Sequence, residues 1–414
     1  MSKATFRVVC GSAHALDVPD GSVQCIVTSP PYWRKRVYAG DQGVDWPEVV
    51  YRLNEWVDPV VVPAGVVALG EELDPVSYVG HLVLCLREWR RVLRADGVVF
   101  VVLGDGYVSG SGVGGGGGGG SVRPKNLCLV PEMFALAVRA DGWYVRSRIA
   151  WVKPSPMPES VLDRPTGAWE HVWMLSRSAR YYWDAEAVRE GAVYEGDTRH
   201  LRADASKERG GPREDGGSRR RTGRPTSGRN LRNWWVVSTQ PMPFAHFATY
   251  PERIPELAIL AATSERGCCV VCGAPVVRVV DRVANSSNAR EAARQRERNA
   301  GVSSGGMDGV TLGVTDRVKR TTLGWRGGCD CGSGIGGGVD RSVPCVVLDP
   351  FHGSGTTGVV ALRLGRSYIG VDTNEGYLGG ITRERFGMAA RKHPGSRSLR
   401  DWGSDTGVYE EELG

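Results

Sequence analysis

Two short segments of this chain combine residue types that group-transfer chemistry needs. The first is Thr28-Ser29-Pro30-Pro31-Tyr32-Trp33, which follows the apolar run Val23-Gln24-Cys25-Ile26-Val27. Two prolines fix the direction of the chain there. The Ser29 hydroxyl and the Pro30 carbonyl, stiffened by Pro31, then stand as two preset hydrogen-bond acceptors. A pair of acceptors suits an amine whose lone pair is delocalised into an aromatic ring. Accepting both N–H hydrogens favours a pyramidal nitrogen with its lone pair free to attack. Tyr32 adds a flat face on which such a ring can stack.

The second segment is Val346-Val347-Leu348-Asp349-Pro350-Phe351-His352-Gly353-Ser354-Gly355-Thr356-Thr357, an apolar strand running into a glycine-rich turn. An apolar helix from Gly358 to Leu364 follows, and a further strand, Ser367 to Val371, ends on Asp372. Strand, glycine turn, helix, strand and acid form the layout that binds a nucleoside in an open α/β sheet. The glycines let backbone approach the ligand, and the carboxylate accepts from ribose hydroxyls. Gly353, Gly355 and Gly358 also match G-x-G-x-x-G, so a dinucleotide and a nicotinamide-dependent oxidoreductase are the rival ligand and activity. Position argues against them, because only 42 residues follow Asp372, too few to finish such a sheet. The remaining strands must come from the N-terminal half. Asp349 beside the turn also favours a cationic ligand, such as the sulfonium of S-adenosylmethionine.

The ten cysteines carry a third signal. Cys269-Val270-Val271-Cys272-Gly273 is a knuckle-type pair, and Cys329-Asp330-Cys331 can complete a tetrahedral thiolate site, with Cys268 competing as a ligand. A structural zinc on Cys269, Cys272, Cys329 and Cys331 is expected. Cys25 and Cys345 lie in apolar strands and read as core residues, which leaves no thiolate nucleophile for attack on a cytosine ring carbon.

Around these segments the pattern is α/β. Residues 75–93 carry apolar positions at helical spacing, and Val98 to Leu103 form a buried strand. Residues 129–138 look helical, while 143–152 and 171–175 look extended. Seven successive glycines, Gly114 to Gly120, make a loop without a core. The division expected is an N-terminal part of the core at 1–189, with the glycine-rich loop at 110–121, then a basic low-complexity loop at 190–232 suited to phosphate contact. The core resumes at 233–263, a cysteine-rich zinc insertion spans 264–343, a cofactor unit spans 344–390, and a polar tail spans 391–414. Formal charge is +6, from 52 basic and 46 acidic residues, and no apolar run is long enough for a membrane span, so a cytoplasmic location is expected.

T-S-P-P-Y-W together with D-P-F-x-G-S-G-T-T resembles the amino-group DNA methyltransferases, in the subgroup that places the catalytic loop before the cofactor loop. The likeness extends through Arg91 to Gly97, Trp151 to Pro154, Arg180 to Tyr182 and His246 to Pro251. It implies a doubly wound, Rossmann-like methyltransferase core, here with a basic loop insertion and a zinc ribbon-like insertion. It implies catalytic roles for Ser29, Pro30, Pro31 and Tyr32, and S-adenosylmethionine binding by Asp349, Phe351, Gly353, Ser354, Gly355, Thr356 and Asp372. Double-stranded DNA is the implied partner, its target base flipped out and methylated directly. A restriction endonuclease partner and a stand-alone enzyme both stay open. In this family Ser before Pro-Pro-Tyr is the usual choice for cytosine N4 and Asp for adenine N6, so Ser29 implies N4 of cytosine, with N6 of adenine the alternative. The zinc insertion and the basic loop are the candidates for target recognition. The resemblance breaks where relatives carry Gly-Asp and this chain has Gly11-Ser12, with Asp17 and Asp20 the next acids.

Overall fold

The computed structural model describes residues 3–35, 42–108, 123–190, 229–240, 249–284, 318–331, 342–391 and 408–412. The glycine-rich loop expected at 110–121, almost all of the basic loop at 190–232, and His246, Phe247 and Ala248 lie outside the described residues.

In chain order the strands are β1 (Thr5–Cys10), β2 (Val23–Thr28), β3 (Val44–Trp46), β4 (Val49–Tyr51), β5 (Val60–Val62), β6 (Gly65–Val67), β7 (Leu93–Leu103), β8 (Tyr144–Val152) and β9 (Trp169–Ser176). They continue with β10 (Trp234–Val236), β11 (Cys268–Cys269), β12 (Val277–Ala284), β13 (Val318–Arg326), β14 (Ser342–Val343), β15 (Val346–Asp349), β16 (Ser367–Asp372) and β17 (Val408–Glu412). The α-helices are α1 (Pro75–Val92), α2 (Val130–Ala140), α3 (Arg253–Ala262), α4 (Thr356–Arg363) and α5 (Thr382–Arg391).

The chain divides into two compact units. The first holds residues 1–184, 232–277 and 326–414, and the second holds 185–231 and 278–325. The first is built on one nine-stranded sheet of order β10-β8-β9-β7-β2-β15-β16-β1-β17. Seven of its strands run parallel; β9 lies antiparallel between β7 and β8, and β17 antiparallel against β1. This is the doubly wound sheet that the sequence pattern implies. The cofactor-type unit β15-α4-β16 comes late in the chain yet sits mid-sheet, between β2 and β1.

Sequence chemistry explains the main elements. Every residue of β2 is buried, as are the last seven of β7, because both strands are central and covered on both faces. Helix α1 starts where the Asp74 side chain accepts the Ser77 N–H at 2.8 Å and the Ser77 hydroxyl at 2.7 Å, with Pro75 in the first turn. Its stripe of Val79, Leu82, Val83, Leu86 and Trp89 is fully buried against the sheet side of the core. Strand β7 follows α1 without a gap, starting at Leu93 rather than Val98, and a register shift against β2 between Val23 and Cys25 absorbs the extra residues. Two small ribbons, β3-β6 and β4-β5, stand in the stretch between β2 and α1.

In the second unit, β12 and β13 pair into a two-stranded sheet. Glu190 and Arg229 bridge through backbone and side chain, the latter at 2.6 Å, and Arg320 meets Glu186 at 2.9 Å. No helix among the described residues is long and apolar enough to cross a membrane.

Candidate active site

Parallel strands place their carboxyl ends along one edge, and a cleft of ≈870 Å³, counting space open to solvent, lies there. The loop after β1 contributes Gly11, Ser12 and Ala13; the end of β16 contributes Asp372 and Thr373; the turn after β15 contributes Pro350 to Ser354 and Thr356. From the loop after β2 come Ser29 and Pro31, and the walls are completed by Val44, Trp46, Leu69, Thr249, Tyr250 and Tyr377. The two segments singled out by their chemistry therefore face one cavity, although 320 residues of chain lie between Ser29 and Pro350.

Asp372 is placed to hold a ribose. Its Oδ2 accepts the Gly353 N–H at 2.7 Å and its Oδ1 the Asn374 N–H at 2.9 Å, which leaves lone pairs on both oxygens toward the cleft. Burial holds its carboxyl up at about 6. The turn itself is held from behind by Arg385, whose guanidinium donates to the Ser354 carbonyl at 2.7 Å and hydroxyl at 2.8 Å and to Thr356 Oγ1 at 3.0 Å.

Asp349, expected at the cofactor, sits behind the turn. It is 1 % exposed and does not line the cleft. Its Oδ1 accepts from Thr28 Oγ1 at 2.6 Å and Phe351 N at 3.1 Å, while Oδ2 accepts from Thr357 Oγ1 at 2.8 Å and Tyr250 OH at 3.1 Å. The carboxyl ties the strand before Ser29 to the glycine turn, helix α4 and the Thr249-Tyr250 segment. Burial pushes it up to about 7. Gly355 also lies outside the cleft lining. Its φ is +76°, and a Cβ there would meet His352 Cε1 at 2.9 Å and Phe386 Cε1 at 3.0 Å, so the packing of the loop alone already requires glycine. Phe351, Gly353, Ser354 and Thr356 do line it.

The loop after β2 is braced on several sides. Tyr78 OH donates to the Pro31 carbonyl at 2.7 Å, Arg34 N–H to the Gly70 carbonyl at 2.7 Å, and Trp33 Nε1 to the Glu72 carbonyl at 3.0 Å. Glu72 is itself buried and paired with His81 at 2.9 Å. Tyr32 donates through its hydroxyl to Glu170 Oε2 at 2.8 Å, Ser29 Oγ lies 3.5 Å from the same hydroxyl, and Lys153 pairs with Glu170 Oε1. The Tyr32 ring packs so close to Gly104 that a Cβ there would come within 2.5 Å of it. Pro30 and Tyr32 do not line the cleft, and Lys35 Nζ sits 5.7 Å from the ring centroid.

Sequence reading missed Glu170, whose only signal is its place at the start of β9, antiparallel to β8 and opposite Trp151. It also missed Trp46, held by stacking on His81 at 4.3 Å. Ser12 lines the cleft, with Oγ 2.6 Å from His14 Nδ1. Asp17 and Asp20 point elsewhere, to Arg7 and Arg91.

The N6/N4 DNA methylase family model matches residues 23–271 and 345–383, well over half of the chain. The chain belongs to this family. It is an S-adenosylmethionine-dependent DNA methyltransferase of the amino-group class, and the nicotinamide alternative falls away. Type II methyltransferase M.Cfr9I of Citrobacter freundii is 35% identical over 260 residues, covering 59% of this chain and 68% of that protein. M.SmaI of Serratia marcescens is 27% identical over 396 residues, covering 92% and 90%. Among solved structures, PvuII DNA methyltransferase, described as cytosine-N4-specific, aligns over 93% of this chain and 87% of its own at 15% identity and a TM-score of 0.48. The family match omits residues 272–344, the stretch that carries three of the four clustered thiols.

The thiols of Cys269, Cys272, Cys329 and Cys331 lie within 4.8 Å of one another. Cys268 turns away into the core, its Sγ 3.6 Å from the Val343 carbonyl. Cys25, within β2, and Cys345, just before β15, are both buried, in keeping with the reading of both as core residues.

Proposed function

We propose that this methyltransferase transfers a methyl group to N4 of cytosine within a specific sequence of duplex DNA. The observation that carries the reading is Ser29, a neutral hydroxyl, facing the cleft at the position where adenine N6 enzymes of the family usually place a carboxylate. Its Oγ accepts one amine hydrogen of a flipped base; the Pro30 carbonyl, which does not line the cleft of the free protein, is assigned the other, and Glu170 with Lys153 keeps the Tyr32 phenol fixed next to Ser29. When bound, S-adenosylmethionine supplies an electrophilic methyl group on a sulfonium. Asp372 holds the ribose end, the Gly353-Ser354 backbone and Thr356 line its path, Phe351 supplies apolar contact, and Asp349 and Gly355 keep the turn in shape from behind. The residues fit that ligand: a carboxylate with spare acceptor capacity stands at the end of the second strand, beside a glycine turn. Incubating duplex DNA with labelled S-adenosylmethionine and digesting it to nucleosides tests the base. Label is expected in N4-methylcytosine; label in N6-methyladenine overturns the base, and label in C5-methylcytosine keeps the base but overturns the target atom and the mechanism of direct transfer to an amine.

Cofactor affinity should depend on pH through Asp372. Ribose hydroxyls donate to the ionised carboxylate, and the carboxyl protonates near pH 6 in the free protein. Affinity measured by calorimetry should therefore be flat above pH 7 and fall by up to about tenfold per unit below pH 6. Asp372→Asn should bind about 10- to 100-fold more weakly at pH 8 and lose the slope. A slope unchanged in that variant would place the titrating group elsewhere.

A further inference from the structure

We infer that Cys269, Cys272, Cys329 and Cys331 hold one structural zinc ion that staples an insertion at its neck, at the end of the sheet away from the active-site cleft. Four thiolates bound tetrahedrally at about 2.3 Å from zinc stand about 3.8 Å apart, and the four Sγ atoms here are already gathered within 4.8 Å. The first pair has knuckle geometry. Val271 N–H points to Cys269 Sγ at 3.4 Å, Gly273 N–H bonds back to the Cys269 carbonyl at 2.8 Å, and Gly273 takes a φ of +67°. The second pair is seated on the first by Gly328, where a Cβ would come within 2.2 Å of the Pro275 carbonyl oxygen. The single-residue spacing of Cys329 and Cys331 thus suffices, because neighbouring backbone sets the approach.

The location decides the role. Strand β11, which carries Cys269, pairs with β14, which leads into β15 at its amino end. Arg94 donates to the Cys272 carbonyl, and Gln24, near the start of β2, accepts the Val346 N–H at 2.5 Å. From Gln24 to Thr28 is about 13 Å along β2 at roughly 3.3 Å per residue, so the thiols sit at the strand ends opposite Ser29. The chain leaves this unit at Val277 and returns at Arg326, between the two cysteine pairs. An ion there joins exit to return, at the strand ends away from the residues that face the methyl-transfer cleft.

Protein purified without chelator should contain about one zinc per chain, and cobalt exchanged into it should show the visible absorption of a tetrahedral thiolate complex. Cys272→Ser/Cys331→Ser should lose the zinc and become sensitive to proteolysis between residues 273 and 328. Should that variant not fold, zinc content and the cobalt spectrum of the wild-type protein decide alone. Iron instead of zinc, no metal, or zinc retained by the double variant would overturn the assignment.

Discussion

Ser29→Ala is expected to lower kcat about 100-fold or more while leaving S-adenosylmethionine affinity within about twofold. Removing one preorganised hydrogen-bonding group from a reacting centre costs roughly 2.7–4 kcal/mol in comparable sites. Here the loss falls on the transition state, because the amine hydrogens need acceptors most strongly as the nitrogen pyramidalises and gains positive charge. The loop should keep its shape in the variant. Its bracing bonds run through the Pro31 carbonyl, Arg34, Trp33 and the Tyr32 hydroxyl to Glu170, none of which uses the Ser29 side chain as an essential link. Single-turnover methyl transfer, with calorimetric binding as the control, checks this. A rate within threefold of wild type would remove Ser29 from the chemistry.

The second large effect concerns Asp349 and shows in stability. Asp349→Ala should destabilise the ligand-free protein by about 3–5 kcal/mol, since Thr28, Thr357, Tyr250 and the Phe351 N–H lose a common buried acceptor. The pH dependence has a definite sign. The unfolded chain releases the Asp349 proton near the ordinary 3.8, whereas the folded protein keeps it until about 7. Between those values the folded state binds more protons, so stability falls as pH rises from about 4 to 7, by up to about 4 kcal/mol from this group. Asp372, raised to about 6, adds a smaller fall of the same sign. Urea unfolding at pH 5 and pH 8 should show wild type weaker at pH 8 and Asp349→Asn with much of that difference gone. An equal difference in Asp349→Asn would trace it to other groups.

Much of this arrangement was readable from residues alone, for identifiable reasons. Strand β2, the second half of β7 and β15 are buried on both faces and so appear as mainly apolar runs, and α1 carries its apolar stripe at helical spacing. The late placement of the cofactor unit followed from the short chain left after Asp372. What local pattern could not show was side-chain partnership over long range. The partners of Asp349, Thr28 and Tyr250, come from distant parts of the chain, and Glu170 joins Tyr32 across 138 residues. The ribbons β3-β6 and β4-β5 escaped because three-residue strands carry too little periodicity to register. The choice between Cys268 and Cys269 needed the turn of one backbone residue, which spacing does not contain.

The central position of β15 and β16 also bears on how the protein acquires its shape during synthesis. Strand β1 pairs with β16 across 362 residues, and β2 with β15 across a similar span. At roughly 5–20 residues per second a ribosome needs about 20 to 70 s between making one partner and the other. Through that interval β1 and one side of β2 carry open backbone edges beside the apolar face of α1, a setting that favours aggregation or chaperone capture. The enzyme's native yield should therefore depend on translation rate and chaperone supply more steeply than that of a methyltransferase with the same sheet in sequential order.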